Sequence, residues 1–174
     1  MEGFDGDVVR NTLKTNYYGT LHATQQLLPL IRKGGRLVNV SSAAGKLNKY
    51  SDEIRNAFLQ ASKTDVSAVT AVMEKFQSAV DEGREKETGF PSAAYAVSKA
   101  GETAFTKAIA AAEQKKGSDV LINACCPGFV NTDMTKGRGV KTADAGARTP
   151  VMLGLQDIDG HTGGFWLGEG LVEW

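Results

Sequence analysis

An α/β fold built on a parallel sheet is predicted for these 174 residues, and three observations carry the prediction. Helix-like and strand-like segments alternate in the order helix, strand, helical insert, helix, strand, helix, strand, the pattern of βαβ units with right-handed crossovers. The strand-like runs Arg36–Val40 and Val120–Ala124 each lead into small or turn-forming residues, Ser41-Ser42-Ala43-Ala44-Gly45 and Cys125-Cys126-Pro127-Gly128. Between them, Ala100, Ala104, Phe105, Ala108, Ile109 and Ala112 form an alanine-rich helical face suited to close packing on a sheet.

Composition narrows the class. Hydrophobic residues make up 41% of the chain, enough for a core, so residues 1–174 are expected to form a single domain. Twenty basic residues balance twenty acidic ones, so no overall field favours nucleic acid or an anionic membrane. MEGFDGDVVR lacks the apolar centre of a signal peptide and no run approaches a membrane span of about 18 residues, so a cytoplasmic protein is expected. Cys125 and Cys126 are neighbours with Cα atoms about 3.8 Å apart, tighter than the usual disulfide range, and no structural disulfide within the chain is expected. His22 and His161 have no ligand spacing to cysteine or carboxylate, so no metal site is expected. Asn39-Val40-Ser41 matches a glycosylation sequon but lies in a strand-like run, and is read as strand.

Taken in order, Val9, Leu13, Tyr17, Leu21, Leu27, Leu28 and Ile31 predict one long amphipathic helix over 8–31. Asn16 falls in its interior, where its amide competes for backbone groups, and spacing alone favours solvent exposure. Gly34-Gly35 ends the helix, and the strand over 36–40 follows. In parallel α/β sheets the carboxyl ends of strands form the ligand crevice, which brings the hydroxyls of Ser41 and Ser42 within reach of a substrate; turn chemistry or helix capping is the alternative for both. Residues 46–91 read as a helical insert. It holds a short helix marked by Ile54, Phe58 and Leu59, a longer one through Val66, Val69, Met73, Phe76 and Val80, and the surface loop GREKETGFPS. The helix carrying Tyr95 ends near Gly117. The strand over 120–124 is closed by Cys125-Cys126-Pro127-Gly128; Phe129 to Met134 follow, and the polar loop after them, rich in Lys, Gly and Arg, is expected to act as a lid. Asp144 to Leu155 reads as a last helix interrupted early by Pro150, and Gly164–Gly168 as a final strand. No glycine-rich GxGxxG loop follows an early strand.

The chemistry concentrates in SAAYAVSKA, residues 92–100, where Tyr95 and Lys99 stand four apart on one helical face. A phenol with a pKa of about 10 is a weak acid and base at neutral pH, and an ammonium within reach stabilises its anion. A surface tyrosine packed on a lysine stem is the alternative for such a pair taken alone.

Several motifs in the same order, KTNYYGT, LLPLI, GRLVNVSS, GFPSAAYAVSK, INACCPGFVNTDM and the closing VEW, resemble the short-chain dehydrogenase/reductase family, and within it the monomeric NADPH-dependent carbonyl reductases. The resemblance runs from about Leu13 to Trp174. It implies a Rossmann-like doubly wound parallel sheet and a catalytic tetrad of Asn16, Ser42, Tyr95 and Lys99, which moves Asn16 from solvent into the site. It further implies hydride transfer from NADPH to a small-molecule carbonyl, with Tyr95 giving the proton and Ser42 hydrogen-bonding the oxygen. Tyr95, Lys99 and the segment Val130-Asn131-Thr132 would contact the cofactor. The insert implies a monomer. The family's glycine-rich loop belongs to a region that would precede Met1, so the fold is expected to be partial, with its N-terminal half missing. The alternative function is a non-catalytic remnant, and the chain by itself is expected to fold poorly and to bind NADPH negligibly.

Overall fold

The computed structural model describes residues 4–174. Helix α1 (Gly6–Thr12) starts at Asp5, whose side chain accepts the Val8 N–H at 2.8 Å. It runs into a π-helical segment (Leu13–Gly19), then α2 (Thr20–Leu27) and a 3₁₀ turn (Leu28–Leu30). The single helix predicted over 8–31 is thus a composite, and the spacing of its apolar residues explains the wider turn. Val9, Leu13, Tyr17 and Leu21 recur strictly every four residues and all are buried. Steps of four overrun the 3.6-residue α-helical turn, and the π segment takes up the drift that would carry them off one face.

Strand β1 (Arg36–Val40) pairs in parallel with β2 (Leu121–Cys126), and β2 with β3 (Phe165–Leu167); β4 (Gly170–Leu171) adds an antiparallel edge. Val40 lies opposite Cys125, and Cys125 opposite Trp166. Strand β2 runs two residues past its predicted end, so Cys125 and Cys126 belong to the ladder and Pro127 ends it. Both cysteines are free and buried.

Helix α3 (Asp52–Thr64) is capped by Ser51 and α4 (Val66–Asp81) by Asp65. The predicted short helix therefore has 13 residues; its apolar stripe is short because much of its surface faces solvent. Helix α5 (Ala94–Lys115) packs on β2 and is covered by α3 and α4. A main core results, with Phe58, Met73, Phe76, Phe105 and Ile122 buried in it. At Gly101 a Cβ would stand 2.5 Å from Met73 Sδ and 2.8 Å from Tyr17 Cδ2, so only glycine lets the three helices meet.

Helix α6 (Ala143–Leu155) covers the other face of the sheet. Alternate β2 residues divide between the layers: Ile122 joins the α5 core, while Cys125 packs with Leu153, Ile158 and Trp166. The result is a Rossmann-like α/β fold. Helix α6 continues through Pro150 to Leu155, against the expected interruption. Its buried face of Gly146, Thr149 and Leu153 outweighs the backbone hydrogen bond that proline cannot make. Among the described residues no helix is long and apolar enough to cross a membrane.

Candidate active site

The carboxyl ends of β1 and β2 open into a cleft of about 630 Å³, lined by Ser41, Ser42, Tyr95, Cys126, Gly128 and Val130 among others. Tyr95 sits in the first turn of α5 and projects there, half-buried. The loop leaving β1 is pressed onto α5 by Gly45, where a Cβ would lie 2.6 Å from both the Lys99 carbonyl carbon and the Ala100 nitrogen. Trp174 holds this loop from the outside, its Nε1 donating to the Gly45 carbonyl at 3.0 Å.

The two serines of this loop do different work. Ser41 is buried, its hydroxyl donating to the Lys99 carbonyl at 3.0 Å and lying 2.8 Å from the Thr103 hydroxyl. Ser42 also lines the cleft but is less buried, and its Oγ accepts the Ala44 N–H at 3.1 Å. That bond fills an acceptor site of Ser42 and leaves its proton free to be donated into the cleft.

Asn16 lies in the π segment, half-buried and not solvent-facing as its spacing suggested. Its Nδ2 donates to Ser98 Oγ at 3.1 Å, and Ser98 donates to the Tyr95 carbonyl at 2.8 Å. The amide that fits a helix interior poorly thus finds its partner on α5. π segments are frequent at functional sites, and this one delivers Asn16 to the turn between Tyr95 and Lys99.

Lys99 is held more tightly than its place in the motif suggests. Its Nζ lies 6.0 Å from the Tyr95 ring centroid, and it donates to the Val40 carbonyl at 3.0 Å and to Glu102 Oε2 at 2.7 Å. The Glu102 side chain is only 2% exposed and that of Lys99 14%. Burial pushes the Glu102 carboxyl up to about 7, against the opposing attraction of Lys99. Sequence reasoning passed over Glu102. The signal was there: an acidic residue three positions after Lys99, within the alanine-rich stretch read as the packing face.

After β2, Val130 and Thr132 line the cleft, whereas Asn131 donates its backbone N–H to the Lys141 carbonyl at 2.8 Å and does not. The Val130 side chain packs against α6, where a Cβ on Gly146 would come within 2.5 Å of it. Thr132 and Thr135 form a reciprocal capping box around a 3₁₀ turn (Asp133–Thr135). Phe129 and Met134 stand exposed at this rim. Cys126 lines the cleft floor, its sulfur accepting the Gly128 N–H at 3.3 Å. Burial raises the Cys125 thiol to about 12.

The arrangement places a phenol and a free hydroxyl proton on one cleft, with an ammonium one helical turn away. Such a set can polarise and protonate an oxygen that gains charge. Comparison with known proteins gives matches over nearly the whole chain. A family model described as short chain dehydrogenase matches residues 1–82 and 79–142. The chain is 39% identical over 169 residues to human carbonyl reductase (NADPH) 1, a match covering 94% of this chain and 61% of that protein. It is 38% identical over 152 residues to mouse carbonyl reductase (NADPH) 3, covering 85% of this chain and 54% of the relative. The chain thus spans less than two thirds of the length of these relatives. Among solved structures, salutaridine reductase from Papaver somniferum superposes with a TM-score of 0.82 at 29% identity, over 93% of this chain and 55% of that one. Menthone neomenthol reductase from Mentha piperita superposes at 0.73 and 26% identity, over 95% and 52%.

Proposed function

Because this chain belongs to the short-chain dehydrogenase family, we propose that it acts as an NADPH-dependent reductase of small-molecule ketones, aldehydes or quinones, with Tyr95 as the proton donor. The observation that carries the reading is the convergence of Tyr95 and Ser42 on one cleft at the carboxyl ends of β1 and β2.

Ser42 donates its free proton as a hydrogen bond to the substrate carbonyl oxygen, an interaction that strengthens as the oxygen gains negative charge. Tyr95 transfers its phenolic proton to that oxygen, and the Lys99 ammonium stabilises the phenolate left behind. Asn16, through Ser98, fixes the Tyr95 backbone and so the aim of its ring. Phe129 and Met134, exposed at the rim, offer an apolar surface on which a hydrophobic carbonyl compound can pack, beside the polar loop that would serve as a lid.

The chemistry of the cleft fits the nicotinamide end of the cofactor: Val130 and Thr132 bring amide and hydroxyl groups to its rim beside Tyr95. Tyr95, Val130 and Thr132 are the cleft residues that would hold it, with Lys99 one helical turn behind Tyr95, whereas Asn131, bonded to Lys141 outside the cleft, is left out of this set. NADPH, when bound, supplies the hydride. We further read residues 46–91 as a helical insert within one domain. The cover that α3 and α4 give to α5 supports a monomer, because that face of α5 is not free for a second subunit. A cytoplasmic location accords with this chemistry.

The test is consumption of NADPH against a panel of ketones, aldehydes and quinones. Turnover of carbonyl compounds that Ser42→Ala lowers by about 10²-fold supports the reading. Turnover insensitive to Ser42→Ala rejects it.

A further inference from the structure

Lys99, which the proposed reaction uses, is ion-paired in this structure with Glu102, a buried carboxylate that the reaction does not use. Lys99 Nζ has two acceptors, the Val40 carbonyl at the end of β1 and Glu102 Oε2, and Glu102 lies a further three residues along α5 from Tyr95. The pair thus draws the ammonium away from the phenol that it is meant to serve. The lysine does not line the cleft in this arrangement.

The surroundings give Glu102 no other reason to be charged. It is buried against the sheet, and its carboxylate bonds to Lys99. The titratable group facing it from β2 is Cys125, which burial keeps as a neutral thiol at physiological pH. From β1 come the Val40 carbonyl and, beside Thr106 one turn on, the Asn39 amide, neither of which titrates. The 3₁₀ turn Ala43–Gly45 packed on α5 carries no ionisable side chain. One proton on Glu102 therefore decides how strongly Lys99 is held.

We propose that Glu102 is a positioning residue for Lys99, a proton-operated latch: as carboxylate it holds the ammonium at the end of β1, and when protonated it releases the ammonium toward Tyr95. The step is a single proton transfer from solvent to the carboxylate oxygen, with no bond rearranged elsewhere. Burial has already raised this carboxyl to about 7, so the latch works near neutral pH. The inference rests on Tyr95 and Lys99 acting as a pair, and the experiment separates failure of the latch from failure of that reading.

The 174-residue chain is examined by NMR, with tyrosine labelled at ¹³Cζ, glutamate at ¹³Cδ and lysine at ¹⁵Nζ. In the wild type the Lys99 ¹⁵Nζ resonance should move in step with the Glu102 ¹³Cδ resonance as pH is varied. At pH 9 the fraction of Tyr95 present as phenolate should rise at least threefold in Glu102→Gln, and this rise should be much smaller in the Lys99→Met background. The second comparison removes the direct effect of losing a negative charge. Equal phenolate fractions in wild type and Glu102→Gln, with a lower fraction in Lys99→Met, overturn the latch and leave the pair standing. Equal fractions in all variants, Lys99→Met included, overturn both. Glu102→Leu fills the same space without an acceptor and serves if Glu102→Gln does not fold. If neither variant folds, the wild-type titration decides: a Lys99 resonance that stays fixed while Glu102 titrates overturns the proposal.

Discussion

Ser41 Oγ donates to the Lys99 carbonyl oxygen at 3.0 Å, joining the end of β1 to α5 one residue before the serine that faces the cleft. The bond sets the distance between the strand that carries Ser42 and the helix that carries Tyr95. Ser41→Ala should cost about 1–3 kcal/mol, because it strips a buried bond and leaves the Thr103 hydroxyl short of a partner. Ser42→Ala should cost under about 1 kcal/mol, since it removes only the cap of a 3₁₀ turn. Chemical denaturation of both variants checks the contrast; equal losses would show that Ser41 bears no more of the structure than Ser42 does.

Gly45 is the second tie between the same elements. In Gly45→Ala the new methyl meets α5 backbone at Lys99 and Ala100, which cannot move aside as a side chain can. A loss of about 3 kcal/mol is expected, the upper end for overpacking, together with a shifted Trp174 fluorescence, because Trp174 bonds to the Gly45 carbonyl. A variant with wild-type stability and emission would contradict this packing.

The Glu102 carboxyl also leaves a signature in stability. Its folded-state value of about 7 stands above the ordinary 4.5, so between these values the folded chain binds more protons than the unfolded one. Stability from this group is full below about pH 4.5, falls as pH rises and is lost above about 7. The displacement corresponds to about 3 kcal/mol. Glu102→Gln should therefore gain on the wild type by up to that amount between pH 5 and pH 8. Measuring unfolding free energies of both proteins across this range checks the sign; a gap that shrinks with rising pH would contradict it.

How much of this was legible in the sequence differs from residue to residue. Strand β1 and helix α5 were readable because their apolar patterns are strong and their ends are marked by Gly34-Gly35, Ser41-Ser42 and Gly117. Tyr95 and Lys99 followed from helical spacing. Asn16 did not: spacing placed it in solvent, and only the family resemblance put it in the site, because its partner Ser98 is 82 residues away. Glu102 was hidden for a related reason. A charge on a packing face can be explained only by the sheet beneath it and the lysine beside it, and periodicity shows neither. Strand β4 has two residues, both exposed, and offers no pattern to read.

The central claim is that Tyr95 gives the proton in a carbonyl reduction carried out on this cleft. Its most direct test is Tyr95→Phe, with NADPH-dependent reduction and NADPH binding by calorimetry measured on the same preparation. The phenyl ring keeps the packing and removes only the hydroxyl, so turnover should fall by about 10²- to 10⁴-fold while any binding of the cofactor measured for the wild type changes little. Turnover within a factor of a few of the wild type would contradict the account, for the reducible oxygen would then be taking its proton from elsewhere.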